Sequence, residues 1–199
     1  MSDCGCSVEI KNQSEKSVLY WLLAINASMF VIEIGVGWLA ESTALIADSF
    51  DMFADAVVYG IGLYVVGRAA KDKAKAALVS GYFQAVLGLL ILIDIVRRVI
   101  QGSEPISELI MIMGLIALFA NLICLVLIHK HKDGEVHMRA SWIFSANDVI
   151  ANMGVIIGGA LVWWLDSRWP DMFIGIIIAL VILRGSRMII QDAKNELKK

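Results

Sequence analysis

Residues 43–67 read TALIADSFDMFADAVVYGIGLYVVG, an apolar stretch long enough to cross a bilayer as one helix, yet one that contains three acids. Asp48, Asp51 and Asp55 follow the spacing i, i+3, i+7, which places their carboxylates on one narrow face of a helix. A carboxylate at the centre of a membrane helix costs about 2.5–3.5 kcal/mol on insertion scales, so it requires a partner or a wet cavity. Three acids on one face therefore predict a cation site, with Asp51 and Asp55 as its main pair.

The overall composition is that of an integral membrane protein. Of the 199 residues, 59% are hydrophobic and only 18% are charged, and the mean hydropathy is +0.75. The formal net charge is −2, and no Lys/Arg-rich patch suits nucleic acid, so a nucleic-acid partner is not expected. The N-terminal residues lack the layout of a cleaved signal peptide, which predicts that the first apolar segment is retained as a helix.

Six apolar segments of about 20 residues each predict an all-α membrane protein, a bundle of six transmembrane helices joined by short links. Two prolines support this division, since Pro105 and Pro170 lie near the starts of two segments, where a missing N–H costs least. The predicted helices cover residues 18–39, 43–67, 76–100, 106–128, 140–165 and 172–190.

The basic residues predict how the bundle is oriented in the membrane. All of the 17 Lys and Arg residues except Arg97, Arg98 and Arg168 fall on one side of the predicted bundle. Because cytoplasmic loops are enriched in Lys and Arg, both termini are expected in the cytoplasm, with the protein multi-pass in the cell (inner or plasma) membrane. The predicted divisions are a disordered tail at 1–16, the transmembrane domain at 17–190 and a short cytoplasmic tail at 191–199.

A second polar stripe lies on the fifth predicted helix. Ser141, Ser145, Asp148 and Asn152 follow i, i+4, i+7, i+11, and hydrogen bonding between helices explains Ser141 well but Asp148 poorly. If this stripe faces the acids of the second helix, oxygen ligands gather around one cavity at mid-membrane. The candidate metal ligands are Asp51, Asp55 and Asp148, with Asp48, Ser145 and Asn152 as accessory ligands.

The remaining polar residues leave alternatives open. Asn26 and Glu33 share one face of the first helix, and either packing or a coupling role suits them. All three histidines lie at 129–137, where a solvated loop is the simpler interpretation and weak binding of metal ions is the alternative. Cys4 and Cys6 likewise belong either to a solvated tail or to a weak metal-binding segment. Because the helices hold no Ser/His or HExxH arrangement, neither an enzyme nor a resident cofactor is expected.

Three stretches resemble the cation diffusion facilitator family of divalent-metal exporters. ALIADSFDMFAD (44–55) is similar to the second-helix pattern of the family, SANDVIANMGVIIG (145–158) to the fifth, and RWPDMFIGIIIALVILRGSRMIIQDA (168–193) to the sixth. The resemblance implies that Asp51 and Asp55 bind metal on the second helix and that Asp148 does so on the fifth.

Two departures from the family pattern accompany the resemblance. Phe144 stands where the family usually has a His or Asp ligand, which leaves the site one ligand short unless Ser145, Asn152, Asp48 or water replaces it. The family's C-terminal cytoplasmic domain has no counterpart in the 199 residues, so the chain is expected to be a member consisting of the transmembrane domain alone.

The function implied by the resemblance is efflux of a divalent cation of the Zn, Co, Fe or Mn class, exchanged for protons by alternating access, in a homodimer within the lipid bilayer. An oxygen-rich site favours hard ions such as Mn²⁺ or Fe²⁺ more than a His-containing site does. The alternative is a membrane protein that binds metal or regulates a partner without transporting anything, and the two departures motivate it.

Overall fold

Six α-helices form the regular structure of the protein in the computed structural model, which describes residues 4–65, 70–129 and 136–198. No strand occurs within those ranges, so the predicted helical membrane bundle is confirmed. The helices are α1 Cys4–Leu39, α2 Thr43–Val65, α3 Ala70–Gln101, α4 Ser107–His129, α5 Val136–Leu165 and α6 Trp169–Leu197.

Five of these helices contain a span that is long and apolar enough to cross a bilayer. The remaining helix, α2, has 23 residues, which is also long enough to cross a bilayer, and it differs from the other five by its three aspartates. The five spans are Lys16–Leu39, Ala74–Gln101, Ser107–His129, Ser145–Leu165 and Trp169–Leu197.

Several helices continue beyond the apolar segments seen in the sequence. α1 begins at Cys4, within the stretch for which the sequence predicts a disordered tail, and α6 ends at Leu197 rather than near residue 190. The added turns are rich in Lys, Glu, Gln and Ala, which are good helix formers that hydropathy alone does not count. The division of the chain into a membrane domain and two tails stays a prediction.

The acidic helix α2 lies at the centre of the bundle. It packs against each of the other five helices, and every residue from Ser42 to Ser49 is buried. The other helices carry the surface that faces outward, with large apolar side chains such as Val31, Ile93 and Phe119 more than half exposed. α2 is thus shielded from lipid, which is how a helix with three acids is accommodated in a membrane protein.

One end of the bundle, here called the tryptophan-rich end, is where the turns α1–α2, α3–α4 and α5–α6 meet. The Arg98 guanidinium donates to the Glu41 carbonyl at 2.6 Å, and the Ile106 N–H donates to the Ala40 carbonyl at 2.9 Å, so two of the turns are bonded together. Exposed indoles surround this end, as expected at a membrane–water interface. These are Trp38, Trp163, Trp164 and Trp169.

Candidate metal site

The position of α2 is set at its first turn by an acid from another helix. The Ser42 side chain accepts a hydrogen bond from the Leu45 N–H at 3.1 Å, as an N-cap residue does. The carboxylate of Asp171, at the start of α6, accepts the Ser42 hydroxyl, the Thr43 N–H at 2.6 Å and the Ala44 N–H at 3.2 Å. Backbone donors that would otherwise be unpaired are satisfied by α6, so α6 fixes the depth and rotation of α2 in the bundle.

At the middle of α2, the structure brings Asp55 next to Asp148 of α5. Asp55 is only 5% exposed, and its carboxyl lies within hydrogen-bonding reach of the Asp148 carboxyl. The Tyr59 hydroxyl, one turn further along α2, donates to Asp55 Oδ2 at 2.9 Å. The two acids that the sequence places on separate helices therefore meet in the interior.

The other acids of α2 extend this negative region toward the tryptophan-rich end. Asp51 is partly buried and lies close enough to Asp55, Asp148 and Asp48 to interact with their charges. Two neighbouring carboxylates in a low-dielectric interior repel each other unless one of them is protonated or a cation lies between them. A divalent ion is one such cation, and carboxylate oxygens are ligands that Zn²⁺, Mn²⁺ and Fe²⁺ all accept.

The stripe on α5 contributes further oxygen atoms. The Ser145 hydroxyl is buried without a hydrogen-bond partner among the described residues. The Asn152 amide donates to the Asp148 backbone carbonyl at 2.8 Å, which leaves its Oδ1 buried and unpaired. Both accessory ligands therefore present free acceptor oxygens. The side chains of Ser141 and Phe144 lie outside the described part of the chain, as do those of Cys4 and Cys6 and the loop residues 130–135.

The carboxylates are close together but are not yet arranged as a finished coordination sphere. Among the residues that the structure describes, no three His, Cys, Asp or Glu side chains converge on a point that could hold a metal ion. Binding by Asp51, Asp55 and Asp148 together thus requires their side chains, or the helices α2 and α5, to move toward the ion.

Four residues near the acids were not assigned to the site from the sequence, namely Tyr59, Cys124, Asn26 and Glu33. Tyr59 bonds to Asp55, and its spacing of four residues could have indicated this contact. Cys124 of α4 packs in one apolar cluster with Tyr59, and its Sγ accepts a long hydrogen bond, 3.7 Å, from the Asn26 amide. Glu33 lies against Asp48, and no sequence signal could have predicted that pairing.

The chain is similar to several curated metal transporters. It is 23% identical to the zinc transporter ZitB of Yersinia pseudotuberculosis over 96% of this chain and 65% of that protein. It is 21% identical to the cadmium, cobalt and zinc/H(+)-K(+) antiporter of Bacillus velezensis (90% and 62%) and 22% identical to the metal cation efflux system protein CzcD of Cupriavidus metallidurans (88% and 59%).

The shared region is the membrane bundle itself. The chain spans about three fifths of the length of these relatives. The family model described as the cation efflux transmembrane domain matches residues 19–197, which include all the acids discussed above. This multi-pass membrane protein therefore belongs to the cation efflux family.

Proposed function

We propose that this protein exports divalent transition-metal ions across the plasma membrane, and that Asp51, Asp55 and Asp148 hold the ion between α2 and α5. The observation that carries the proposal is the contact of the buried Asp55 with the partly buried Asp148. Neither Asp55 nor Asp148 takes part in a salt bridge within the described ranges, where the salt bridges join Asp94 to Arg97 and to Arg98. Their missing counter-charge is supplied by the transported cation.

Proton exchange follows from the chemistry of the ligands. Carboxylates bind metal only when deprotonated, so each arriving ion displaces protons and each arriving proton weakens the hold on the ion. The Bacillus velezensis relative is named as an antiporter of cadmium, cobalt and zinc against H⁺ and K⁺. We therefore propose that metal export here is coupled to proton import.

The preferred substrates are Zn²⁺ and Co²⁺. Zinc appears in the names of two of the relatives above, and cobalt and cadmium in one. The three main ligands are all carboxylates, which also suit Mn²⁺ and Fe²⁺, so these two ions remain in the substrate class.

The transport step proposed is alternating access. Since α2 contacts all five other helices, a shift of α2 relative to α5 changes both the ligand geometry and the packing around it. We propose that the transporter is a homodimer and that both of its termini are cytoplasmic.

The test is a flux assay with purified protein in liposomes that contain a fluorescent zinc indicator, with an imposed pH gradient. Asp51→Ala and Asp148→Ala are each expected to abolish saturable zinc flux, while Asp192→Asn, an exposed acid on α6, leaves it unchanged. Unchanged flux in both site variants would overturn the ligand assignment. Zinc binding by the wild-type protein without any flux would instead support a non-transporting membrane metal-binding protein.

A further inference from the structure

Glu33 of α1 is a fully buried acid that the proposed ligand set does not use. It is 0% exposed, and neither of its carboxylate oxygens makes a hydrogen bond within the described part of the chain. Its neighbour across the α1–α2 interface is Asp48, which is 1% exposed and whose Oδ2 is also unpaired. No described Lys or Arg forms an ion pair with either acid.

Close packing of α1 on α2 presses these two carboxyls together. At Gly37, one turn after Glu33, a Cβ atom would lie 3.1 Å from the Ile46 N atom and 3.1 Å from the Leu45 Cβ. The backbones of the two helices therefore approach closely beside the acidic pair. The side chains of Glu33 and Asp48 are both shielded from the surface at this interface.

Along α2, Asp48 lies one turn before Asp51, the nearest of the three proposed ligands, and about two turns before Asp55. Asp48 precedes Asp55 by seven residues, which at 1.5 Å per residue is a rise of about 10 Å. This displacement is directed toward the tryptophan-rich end, since α2 begins there at Thr43. A cation that leaves Asp55 and Asp148 in this direction passes the level of Asp48 next.

Glu33 and Asp48 lie within hydrogen-bonding reach of each other. Two carboxyls at that distance are held together by a shared proton or by a cation. No described N–H or O–H group donates to either Glu33 oxygen or to Asp48 Oδ2, so these oxygens are available to an ion. Carboxylate oxygens from two helices are a donor set that suits a divalent cation.

We propose that Glu33 and Asp48 form a second binding site for the transported divalent cation, on the side of Asp55 and Asp148 that faces the tryptophan-rich end. The ion rests there between two acids on its way out of the main site. This inference rests on the proposed divalent-cation transport and adds to it a second station on the route.

The test counts bound zinc ions on the full-length purified protein by equilibrium dialysis with radioactive Zn²⁺. Glu33→Gln and Asp48→Asn are each expected to lose one bound ion per chain relative to wild type. Glu33→Asp retains a carboxylate and is expected to keep that ion with weaker affinity. The matched control is Glu108→Gln, which neutralises an exposed acid on α4 and leaves the number unchanged.

The double variant Asp55→Asn/Asp148→Asn separates this inference from the proposed function. It is expected to retain the ion that Glu33→Gln removes. The triple variant Glu33→Gln/Asp55→Asn/Asp148→Asn is expected to lose that ion as well. Equal numbers of bound zinc ions in wild type, Glu33→Gln and Asp48→Asn would overturn the second site, whatever the flux assay shows. Circular dichroism and size-exclusion chromatography confirm that each variant compared is folded.

Discussion

At the scale of single residues, the buried acids of this protein differ by what surrounds them rather than by their chemistry. Asp171 accepts three hydrogen bonds and acts as a helix cap. Asp55 accepts one from Tyr59 and otherwise lies against another acid, while Asp48 lies against Glu33. An acid that is satisfied by backbone donors serves structure, whereas acids that lie against each other require a proton or a cation between them.

The Tyr59 hydroxyl is predicted to orient Asp55 for metal binding. In Tyr59→Phe the ring remains but the 2.9 Å hydrogen bond to Asp55 is lost. The apparent zinc affinity is therefore expected to fall about tenfold, which is the lower end of the effects seen when a residue that supports a metal ligand is removed. Isothermal titration with Zn²⁺ measures this change. Tyr82→Phe, at a half-exposed tyrosine on α3, serves as the control, and an equal affinity in all three proteins would contradict the role.

At the scale of helices, α6 holds the acidic helix α2 in place by two kinds of contact. One is the cap formed by Asp171. The other is the close approach of Gly175 to Thr43, where a Cβ atom would lie 2.7 Å from Thr43 Cγ2 and 3.2 Å from the Thr43 carbonyl carbon. Both contacts lie within the first two turns of α6, so the start of α2 moves only if α6 moves with it.

Removal of the cap is predicted to destabilise the bundle. Asp171→Ala leaves the Thr43 and Ala44 N–H groups buried without an acceptor, at a cost of about 1–3 kcal/mol for each unsatisfied group. The unfolding free energy in mixed micelles is the measurement. Asp192→Ala, at an exposed acid further along α6, is expected to change it little, and equal stability of the two variants would show that the cap contributes nothing.

The contact between Gly175 and Thr43 is predicted to matter as much for the stability of the bundle as the cap. Gly175→Ala forces α6 away from Thr43 and is expected to destabilise the protein by about 1–3 kcal/mol. Gly185→Ala, on the same helix, meets nothing within 4 Å and is expected to be neutral or slightly stabilising, because alanine is the better helix former. The same unfolding assay compares the two variants. A larger loss of unfolding free energy in Gly185→Ala than in Gly175→Ala would contradict the packing argument.

At the scale of the whole molecule, five apolar helices enclose one acidic helix. This arrangement keeps the carboxylates of α2 away from lipid. Metal binding by such a site is linked to pH, since protons and metal ions compete for the same oxygens.

Zinc binding is accordingly predicted to weaken as the pH falls. Each proton that zinc displaces raises the apparent Kd by about tenfold per pH unit below the range in which the carboxylates are ionised. Zinc titrations at a series of pH values give the slope. An apparent Kd that does not rise even as the pH falls through the range in which carboxylates become protonated would exclude carboxylates as the main ligands.

The orientation of the bundle can be tested by labelling. With Cys4 and Cys6 replaced by serine, Glu104→Cys, in the α3–α4 turn, is expected to react with a membrane-impermeant maleimide on intact cells. Asn195→Cys, near the end of α6, is expected to react only after the cells are opened. The reverse pattern would place the termini outside and contradict the prediction from the basic residues.

The sequence by itself determined the six helices and the polar stripes on them. Hydrophobic runs of about 20 residues and the 3.6-residue period are local properties, so the acids of α2 and the stripe around Asp148 could be placed on helix faces without any coordinates. The helix ends were less predictable, as at Cys4 and Leu197, because polar helix formers extend a helix past its apolar part.

Only the tertiary structure decided which helix faces meet. Periodicity gives each helix a polar face but not its partner, and in a membrane the apolar faces are all equally suited to lipid. The partners of Asp48 and Thr43, namely Glu33 on α1 and Asp171 on α6, therefore had no sequence signal. Close packing at Gly37 and Gly175 brings these backbones together, and that packing turns a row of acids on α2 into separate groups with different roles.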